Sequence, residues 1–116
     1  MSPRIKPLPA ASLHVVLALL GGEQHGYALM RRVESLSDGA VKMGAGTLYG
    51  TLNRLVDGDL IVETTDRHAD DTDARSDRRR YYELTPGGRA VALQELGRLR
   101  TLVDRVGADL PPGAIA

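Results

Sequence analysis

Aliphatic residues recur at helical spacing in short segments of the first half of the chain. The first segment carries four of them at positions i, i+3, i+4 and i+7: Leu13, Val16, Leu17 and Leu20. This spacing, together with Ser12 as a suitable N-cap, predicts a helix over residues 13–20. An apolar stripe that starts at Tyr27 predicts a second helix over residues 26–36.

A third segment combines an apolar stripe with a face of small and polar residues. The stripe consists of Leu48, Leu52 and Leu55, and it predicts a helix over residues 45–57 with Gly58 at its C-terminal end. The opposite face and its two shoulders carry Gly46, Thr47, Tyr49, Gly50, Asn53, Arg54 and Asp57. The exposed face of this helix is therefore small and polar at its N-terminal end.

A β-hairpin with a long polar loop follows the three helices. Residues 60–65 and 80–84 are rich in β-branched or aromatic side chains and predict two strands. The residues between them, 66–79, are polar apart from two alanines. Three short helices followed by an open hairpin predict a winged helix-turn-helix, an α+β fold that is mostly α. The third helix would be the reading helix, and residues 66–79 would form the wing.

The last part of the chain carries a heptad pattern. Thr85-Pro86 is a typical helix start, with threonine as N-cap and proline in the first turn. The apolar residues that follow alternate in spacing between four and three: Ala92, Leu96, Leu99, Val103, Val106 and Leu110. This pattern predicts a C-terminal helix over residues 86–110 that pairs with a second copy of the chain. Packing onto its own domain is the alternative.

These elements divide the 116 residues into one small domain and its extensions. We expect a flexible arm at residues 1–10, a winged helix-turn-helix domain at 11–85, the dimerisation helix at 86–110 and a tail at 111–116. The hydrophobic fraction of 42% and the charged fraction of 26% are ordinary for a globular protein. The longest apolar run is far shorter than the roughly 20 residues of a membrane helix. We therefore expect a soluble cytoplasmic protein without a membrane partner.

The composition argues against several classes of function. The 15 basic and 15 acidic residues cancel, so any contact with nucleic acid must come from a local cluster. The absence of cysteine excludes disulfides, thiolate zinc sites and thiol catalysis. The acidic stretch 70–77 lacks the glycine and the final glutamate of a calcium loop, and the three histidines fall on different elements. We therefore expect neither an enzyme nor a bound metal or cofactor.

Residues around the third helix and the second strand favour DNA binding. Free N–H groups at a helix start bind phosphate, and a glycine on the outward face lets the helix approach a major groove. Asn53 can bind adenine, and Arg54 can bind guanine or phosphate. The DNA contacts expected from the residues themselves are Tyr27, Lys42, Gly46, Thr47, Tyr49, Gly50, Asn53, Arg54, Arg78, Arg79 and Arg80.

Two of these assignments have structural alternatives. The three arginines 78–80 could instead pair with nearby carboxylates of the same loop, namely Asp70, Asp71, Asp73 and Asp77. Tyr27 and Tyr49 could instead pack in the core or at its rim. Both alternatives stay open at the level of the sequence.

Three blocks of sequence resemble the PadR family of bacterial transcriptional regulators. They are residues 25–27 (HGY), 46–55 (GTLYGTLNRL) and 79–89 (RRYYELTPGGR), in the order and spacing of the family. The resemblance covers residues 11–106, and the length resembles the short subgroup that has a single C-terminal helix. It implies a homodimeric winged-helix repressor in which Tyr27 contacts the DNA backbone. The base of the wing would be formed by residues 78–81, which adds Tyr81 to the expected DNA contacts.

The resemblance also implies how the dimer forms and responds. The helix from Pro86 would pack on the first and last helices of the partner, and the interface would comprise Leu13, Leu17, Leu96, Leu99, Val103 and Val106. Such regulators often release DNA when a small phenolic compound, a drug or another signal binds. This chain departs from the family in two ways. It has no Trp or Phe to stack a planar drug, and its acidic wing tip would repel phosphate.

We therefore expect a sequence-specific DNA-binding transcriptional regulator. In detail, we expect a ligand-responsive homodimeric repressor, with a small-molecule inducer, that binds a double-stranded, pseudo-palindromic operator. Its half-sites would lie about 34 Å apart. The zero net charge and the acidic loop leave open a winged helix that binds proteins and has no role on DNA. A small-molecule-binding dimer with a secondary DNA role is the third hypothesis.

Overall fold

The computed structural model describes residues 7–65 and 80–114 of the chain. Along the chain, its elements are α1 (Ala10–Leu19), β1 (Gln24–His25), α2 (Gly26–Leu36), α3 (Ala45–Asp57), β2 (Ile61–Thr65), β3 (Arg80–Leu84) and α4 (Pro86–Ala108). The predicted fold class is confirmed, because a mostly helical domain carries a small antiparallel sheet and an added C-terminal helix. The predicted bounds of α2, α3 and β3 are those observed.

The first helix begins earlier than its hydrophobic spacing predicts. Pro9 is its N-cap, and the Pro9 carbonyl oxygen accepts a hydrogen bond of 2.8 Å from the Leu13 N–H. Ser12 lies inside the helix and is buried, so its assignment as the N-cap is wrong. Proline restricts its own φ to a value that suits the residue at a helix start, and this outweighed the capping preference of serine. The predicted arm 1–10 therefore overlaps α1 at Ala10.

The sheet contains one strand that the pattern did not predict. β1 pairs with β3, Gln24 facing Tyr82 and His25 facing Tyr81, and the strand order is β1-β3-β2. A strand of two residues is too short to show a period of two in the sequence. The predicted hairpin of β2 and β3 is confirmed by its antiparallel pairing. The predicted wing 66–79 lies outside the described residues.

An aliphatic core with one tyrosine joins the helices to the sheet. The predicted inner face of α3, Leu48, Leu52 and Leu55, is buried. Among the described residues, the buried apolar side chains are Val15, Val16, Ala18, Leu19, Leu29, Val33, Met43, Leu48, Leu52, Leu55, Ile61, Tyr82 and Ala92. Within the described ranges no helix is long and apolar enough to cross a membrane.

The start of α4 is fixed by hydrogen bonds to the turn that precedes β2. The Thr85 hydroxyl accepts a hydrogen bond of 2.9 Å from the Gly88 N–H, which confirms the predicted N-cap, and it donates one of 2.6 Å to the Asp59 carbonyl oxygen. The Thr85 N–H donates to the Leu60 carbonyl oxygen at 3.0 Å. A β-carbon at Gly88 would overlap the Leu60 carbonyl group. Glycine is therefore required where the backbone of α4 meets that of the turn.

Only the first half of α4 is covered by its own domain. Ala92 and Glu95 are buried, and the Glu95 carboxylate accepts a hydrogen bond of 2.8 Å from the Arg98 guanidinium. The apolar face continues into the second half, where the side chains of Val103 and Val106 are 60% and 51% exposed. With a rise of 1.5 Å per residue, α4 is more than twice as long as α1, the helix it packs against. The alternative that α4 packs on its own domain thus describes its first half.

The Tyr82 hydroxyl lies where the core ends and a group of polar side chains begins. Burial raises the pKa of Tyr82 above its ordinary value of about 10, and the nearby Glu63 carboxylate and Tyr49 phenol raise it further. The positive charge of the nearby Arg80 guanidinium acts in the opposite direction. Tyr82 is therefore held in its neutral form by the fold.

We predict that Gly88→Ala lowers the free energy of unfolding by about 3 kcal/mol, because the new methyl group must displace the Leu60 backbone. Gly87→Ala is the matched control, since Gly87 is exposed in the same helical turn and alanine favours helix. Urea unfolding followed by circular dichroism measures both. Equal stability of the two variants would refute the close contact.

We predict that the stability of the protein falls above about pH 10 and that Tyr82→Phe reduces this fall. The folded state holds the Tyr82 proton more tightly than the unfolded state does. Its contribution is therefore complete below the unfolded pKa and is lost as the pH rises through the folded pKa. Urea unfolding at a series of alkaline pH values tests this. Tyr27→Phe, at an exposed tyrosine, is the control, and the same alkaline fall in both variants would contradict the prediction.

Candidate nucleic-acid interface

The turn between α2 and α3 presents the N-terminus of α3 at the surface. The Ser37 hydroxyl accepts a hydrogen bond of 2.9 Å from the Val41 N–H and closes this turn. Gly44 is the N-cap of α3, and none of the described side chains caps this helix. The first turn of α3, from Ala45 to Thr47, is exposed. Its backbone N–H groups can therefore bind an anion.

The outward face of α3 is small and polar, as its sequence predicts. Gly46, Thr47 and Asn53 are exposed, and Gly50 is half-buried. Asn53 can present its amide to a base edge, because it projects from the second half of the exposed face. The surface position of these residues is settled by the fold, and their contact with DNA stays a prediction.

Arg54 lies back along α3. Its Nη2 atom donates a hydrogen bond of 3.3 Å to the Thr51 hydroxyl, and Nη1 lies 3.7 Å from where a β-carbon of Gly50 would be. Thr51 is fully buried, and sequence reasoning assigned it no role. The Arg54 guanidinium therefore lies beside the space that Gly50 leaves on the outward face of α3. The buried Thr51 hydroxyl of the same helix orients this guanidinium.

The tyrosines predicted as phosphate contacts differ in their surroundings. Tyr27, in the first turn of α2, is 64% exposed, so rim packing does not account for it. Tyr49 is 42% exposed, and a β-carbon at Gly26 would lie 2.7 Å from its hydroxyl oxygen. Rim packing and phosphate contact are thus both compatible with Tyr49, since its hydroxyl packs on the start of α2 while part of its ring faces solvent. A larger residue at position 26 would require the Tyr49 phenol to shift.

His25 organises the start of α2. Its Nδ1 atom accepts a hydrogen bond of 3.2 Å from the Ala28 N–H, and it therefore caps the helix. Its ring meets the ring of Tyr81 edge to face, with centroids 5.6 Å apart. His25 also belongs to β1, so it joins the sheet to α2. This arrangement fixes the helix turn from which Tyr27 projects.

The two described residues at the base of the wing, Arg80 and Tyr81, point to opposite faces of the sheet. Side chains alternate along a strand, so Arg80 shares the inner face with Tyr82, and Tyr81 faces His25 on the other side. The Arg80 Nε atom lies 3.6 Å from Oε1 of Glu63. The sequence suggested pairing of arginines within the loop, whereas the described partner of Arg80 is a carboxylate on the neighbouring strand. Arg78 and Arg79 lie outside the described residues.

Lys42 is also close to a carboxylate. Its Nζ atom lies 4.0 Å from Oε1 of Glu34, and both side chains are largely exposed. Sequence reasoning missed Glu34 and Glu63 as partners. The β2–β3 register could have indicated Glu63, because Glu63 pairs with Tyr82 and Arg80 comes two residues earlier on the same strand. The Glu34 contact had no such signal, since it crosses the turn between two helices.

The described residues contain no group of three or more side chains that could hold a metal ion. The outward face of α3, the exposed start of α2 and the Arg80 side chain form instead a polar surface with donors for phosphate and for base edges. An arrangement of this kind is typical of a binding surface.

The comparisons with known proteins agree with this arrangement. The model of the transcriptional regulator PadR-like family matches residues 16–94. Transcriptional regulator Rv3488 of Mycobacterium tuberculosis is 38% identical over 96 residues, which cover 77% of this chain and 80% of that protein. An uncharacterized 37.1 kDa protein in transposon TN4556 of Streptomyces fradiae is 30% identical over 106 residues, 91% of this chain. The chain spans only 28% of the length of that second relative.

A solved structure shows the same fold. The PadR family transcription regulator from hypervirulent Clostridium difficile R20291 superposes with a TM-score of 0.61 at 20% sequence identity, over 84% of this chain and 98% of that one. The family model covers well over half of the chain, and its span includes α2, α3, both strands of the hairpin and the start of α4. The chain therefore belongs to the PadR-like family of transcriptional regulators.

Proposed function

We propose that this PadR-like regulator is a homodimeric repressor that reads a pseudo-palindromic DNA operator with α3. One observation carries the proposal, namely the exposed, uncapped N-terminus of α3 followed by a face of small and polar side chains. A helix of this width fits the major groove, which is about 12 Å wide. The N–H groups of its first turn would bind a phosphate, while Asn53 would contact a base edge.

The surroundings of α3 supply contacts to the DNA backbone. Tyr27 projects from the start of α2, and Arg80 lies at the base of the wing on the face of the sheet that packs toward the core. Together with Lys42 they would fix the register of α3 on the duplex without reading its sequence. The predicted contacts Gly46, Thr47, Gly50 and Arg54 lie on or beside the same face of α3. Tyr81 is proposed only as support for His25, because it faces away from this surface.

The apolar side chains of α4 that its own domain leaves exposed support the dimer. Five large apolar side chains of α4, and Leu110 after it, are exposed in the single chain: Leu93, Leu96, Leu102, Val103, Val106 and Leu110. They continue the stripe that α1 covers in the first half, so a second copy that supplies its own α1 and α4 would bury them. Leu13, Leu17 and Leu99 are half-buried at the margin of this surface. A two-fold dimer of this kind would place two α3 helices on half-sites about 34 Å apart.

Release of DNA on binding of a small molecule completes the proposal. The side chains that would line the dimer interface are Leu and Val, and none of the four tyrosines lies on α4. An effector at this interface would therefore contact aliphatic groups and would not be stacked between aromatic rings. This favours a compact apolar compound over a large planar one.

We predict that Val103→Asp together with Val106→Asp converts the dimer into a folded monomer. Burying two unpaired carboxylates would cost about 3 kcal/mol or more, which raises the dissociation constant more than about 100-fold. The control adds the same charges on the opposite face of α4, with Gln94→Asp and Thr101→Asp. Sedimentation velocity measures the mass, and circular dichroism checks the fold. A dimer that survives the first pair of substitutions would refute the interface.

We predict that Asn53→Ala weakens binding to the preferred duplex by about 1–3 kcal/mol and has little effect on a scrambled duplex. The duplex is selected by the wild-type protein from a random pool, and fluorescence anisotropy gives both affinities. Thr101→Ala on α4 is the control. Equal losses on both duplexes would make Asn53 a backbone contact. If the wild-type protein binds no duplex in a salt-dependent manner, the protein-binding alternative is favoured instead.

A further inference from the structure

The Arg80 guanidinium has two neighbours on the sheet. Its Nε atom lies 3.6 Å from Oε1 of Glu63, and its charge acts to lower the pKa of the nearby Tyr82 phenol. Glu63 and Tyr82 are direct partners in the β2–β3 ladder, so the backbone register places both beside Arg80. Tyr82 is buried in the core. The strand register therefore brings Arg80 and Glu63 together.

This ion pair lies at the edge of the surface that we assign to DNA. The side chains of Glu63, Tyr82 and Arg80 all lie on the inner face of the sheet. Tyr49 of α3 is close enough to Tyr82 to raise the pKa of the Tyr82 phenol. The side chains of Arg80 and Glu63 are 65% and 45% exposed. A phosphate that approaches Arg80 therefore also approaches a carboxylate.

The ion pair of Lys42 and Glu34 is held less firmly than that of Arg80 and Glu63. Its Nζ–Oε1 distance is 4.0 Å, its side chains are more exposed, and no strand register holds the two residues together. A loosely held lysine can turn toward a phosphate while its carboxylate turns away. Of the two described cations near α3 that have a carboxylate neighbour, Arg80 is the one whose neighbour is placed by a strand register.

We propose that Glu63 is a specificity-determining residue that withholds Arg80 from the phosphates of non-cognate DNA. The proposal rests on the DNA-binding function proposed above. On a poorly fitting duplex, a phosphate gains little by displacing the carboxylate from Arg80, and it is repelled by that carboxylate. On the operator, the contacts of α3 hold the duplex close enough for a phosphate to replace Glu63. Glu63 thus lowers affinity for random DNA more than affinity for the operator.

The salt dependence of binding gives this mechanism its own signature. Each phosphate neutralised by a cationic side chain adds about 0.9 to the slope of log K against log salt concentration. In the wild-type protein on a scrambled duplex, Arg80 stays with Glu63 and adds nothing to the slope. Without the carboxylate, Arg80 binds a phosphate and the slope steepens by about 0.9.

The experiment is a double-mutant cycle on full-length protein with a scrambled duplex and with the duplex selected from a random pool. The four proteins are the wild type, Glu63→Gln, Arg80→Ala and the double variant. Glu83→Gln is the matched control, because it removes the same charge as Glu63→Gln does. Glu83 is on β3 but faces the other side of the sheet, away from Arg80. Fluorescence anisotropy at several salt concentrations gives affinities and slopes, and thermal unfolding confirms that each variant folds.

We expect Glu63→Gln to bind the scrambled duplex about two- to fivefold more tightly than Glu83→Gln does, with a steeper salt slope. The gain should disappear when Arg80 is alanine, and the preference for the selected duplex should fall. Equal effects of Glu63→Gln and Glu83→Gln, or a gain that persists without Arg80, would overturn the inference and leave the proposed function intact. A wild-type protein that binds neither duplex would overturn both.

Discussion

The contact between the first turn of α4 and the turn before β2 is the constraint on which the rest of the molecule depends. The Thr85 side chain and N–H bind the backbone of Asp59 and Leu60, and the glycine at position 88 lets the two backbones touch. These bonds set the direction of α4 relative to the hairpin and to α3, whose last turn leads into the same segment. Because α4 leaves the domain along that direction, half of its apolar face extends beyond α1. The spacing of two reading helices in a dimer would thus follow from a backbone contact within one chain.

Two cations of the described surface beside α3 have carboxylate neighbours. Arg80 and Lys42 each lie near a glutamate, and the chain as a whole is neutral. This pairing reduces the affinity that the two side chains gain from the general negative charge of DNA. Close fit to the duplex then matters more, and the exposed helix start and the small outward residues are suited to it. Weak general attraction combined with close fit is appropriate for a regulator that must not bind most of the DNA it meets.

Hydrophobic spacing predicted the bounds of α2, α3 and β3, because in each the periodic residues run up to a strong end signal. It placed the start of α1 wrongly, since Ser12 and Pro9 both suit a helix start and the restricted φ of Pro9 outweighed the capping preference of Ser12. It could not predict β1, because a strand of two residues exists only through its pairing with β3. The N-cap at Thr85 was predictable, since its signal is contained in two adjacent residues.

The outward face of α3 was predictable for the same reason, because a helix repeats every 3.6 residues and its exposed side can be counted along the chain. The partners of the charged side chains were not. Glu63 meets Arg80 through the register of two strands, and Arg54 turns onto a hydroxyl that the core has buried. By itself, the sequence determined the four helices, the two strands of the hairpin, the amphipathic faces and the family, since these depend on residues close together along the chain. The tertiary structure alone decided which charges are paired and how much of α4 is covered, because these depend on groups that meet only after folding.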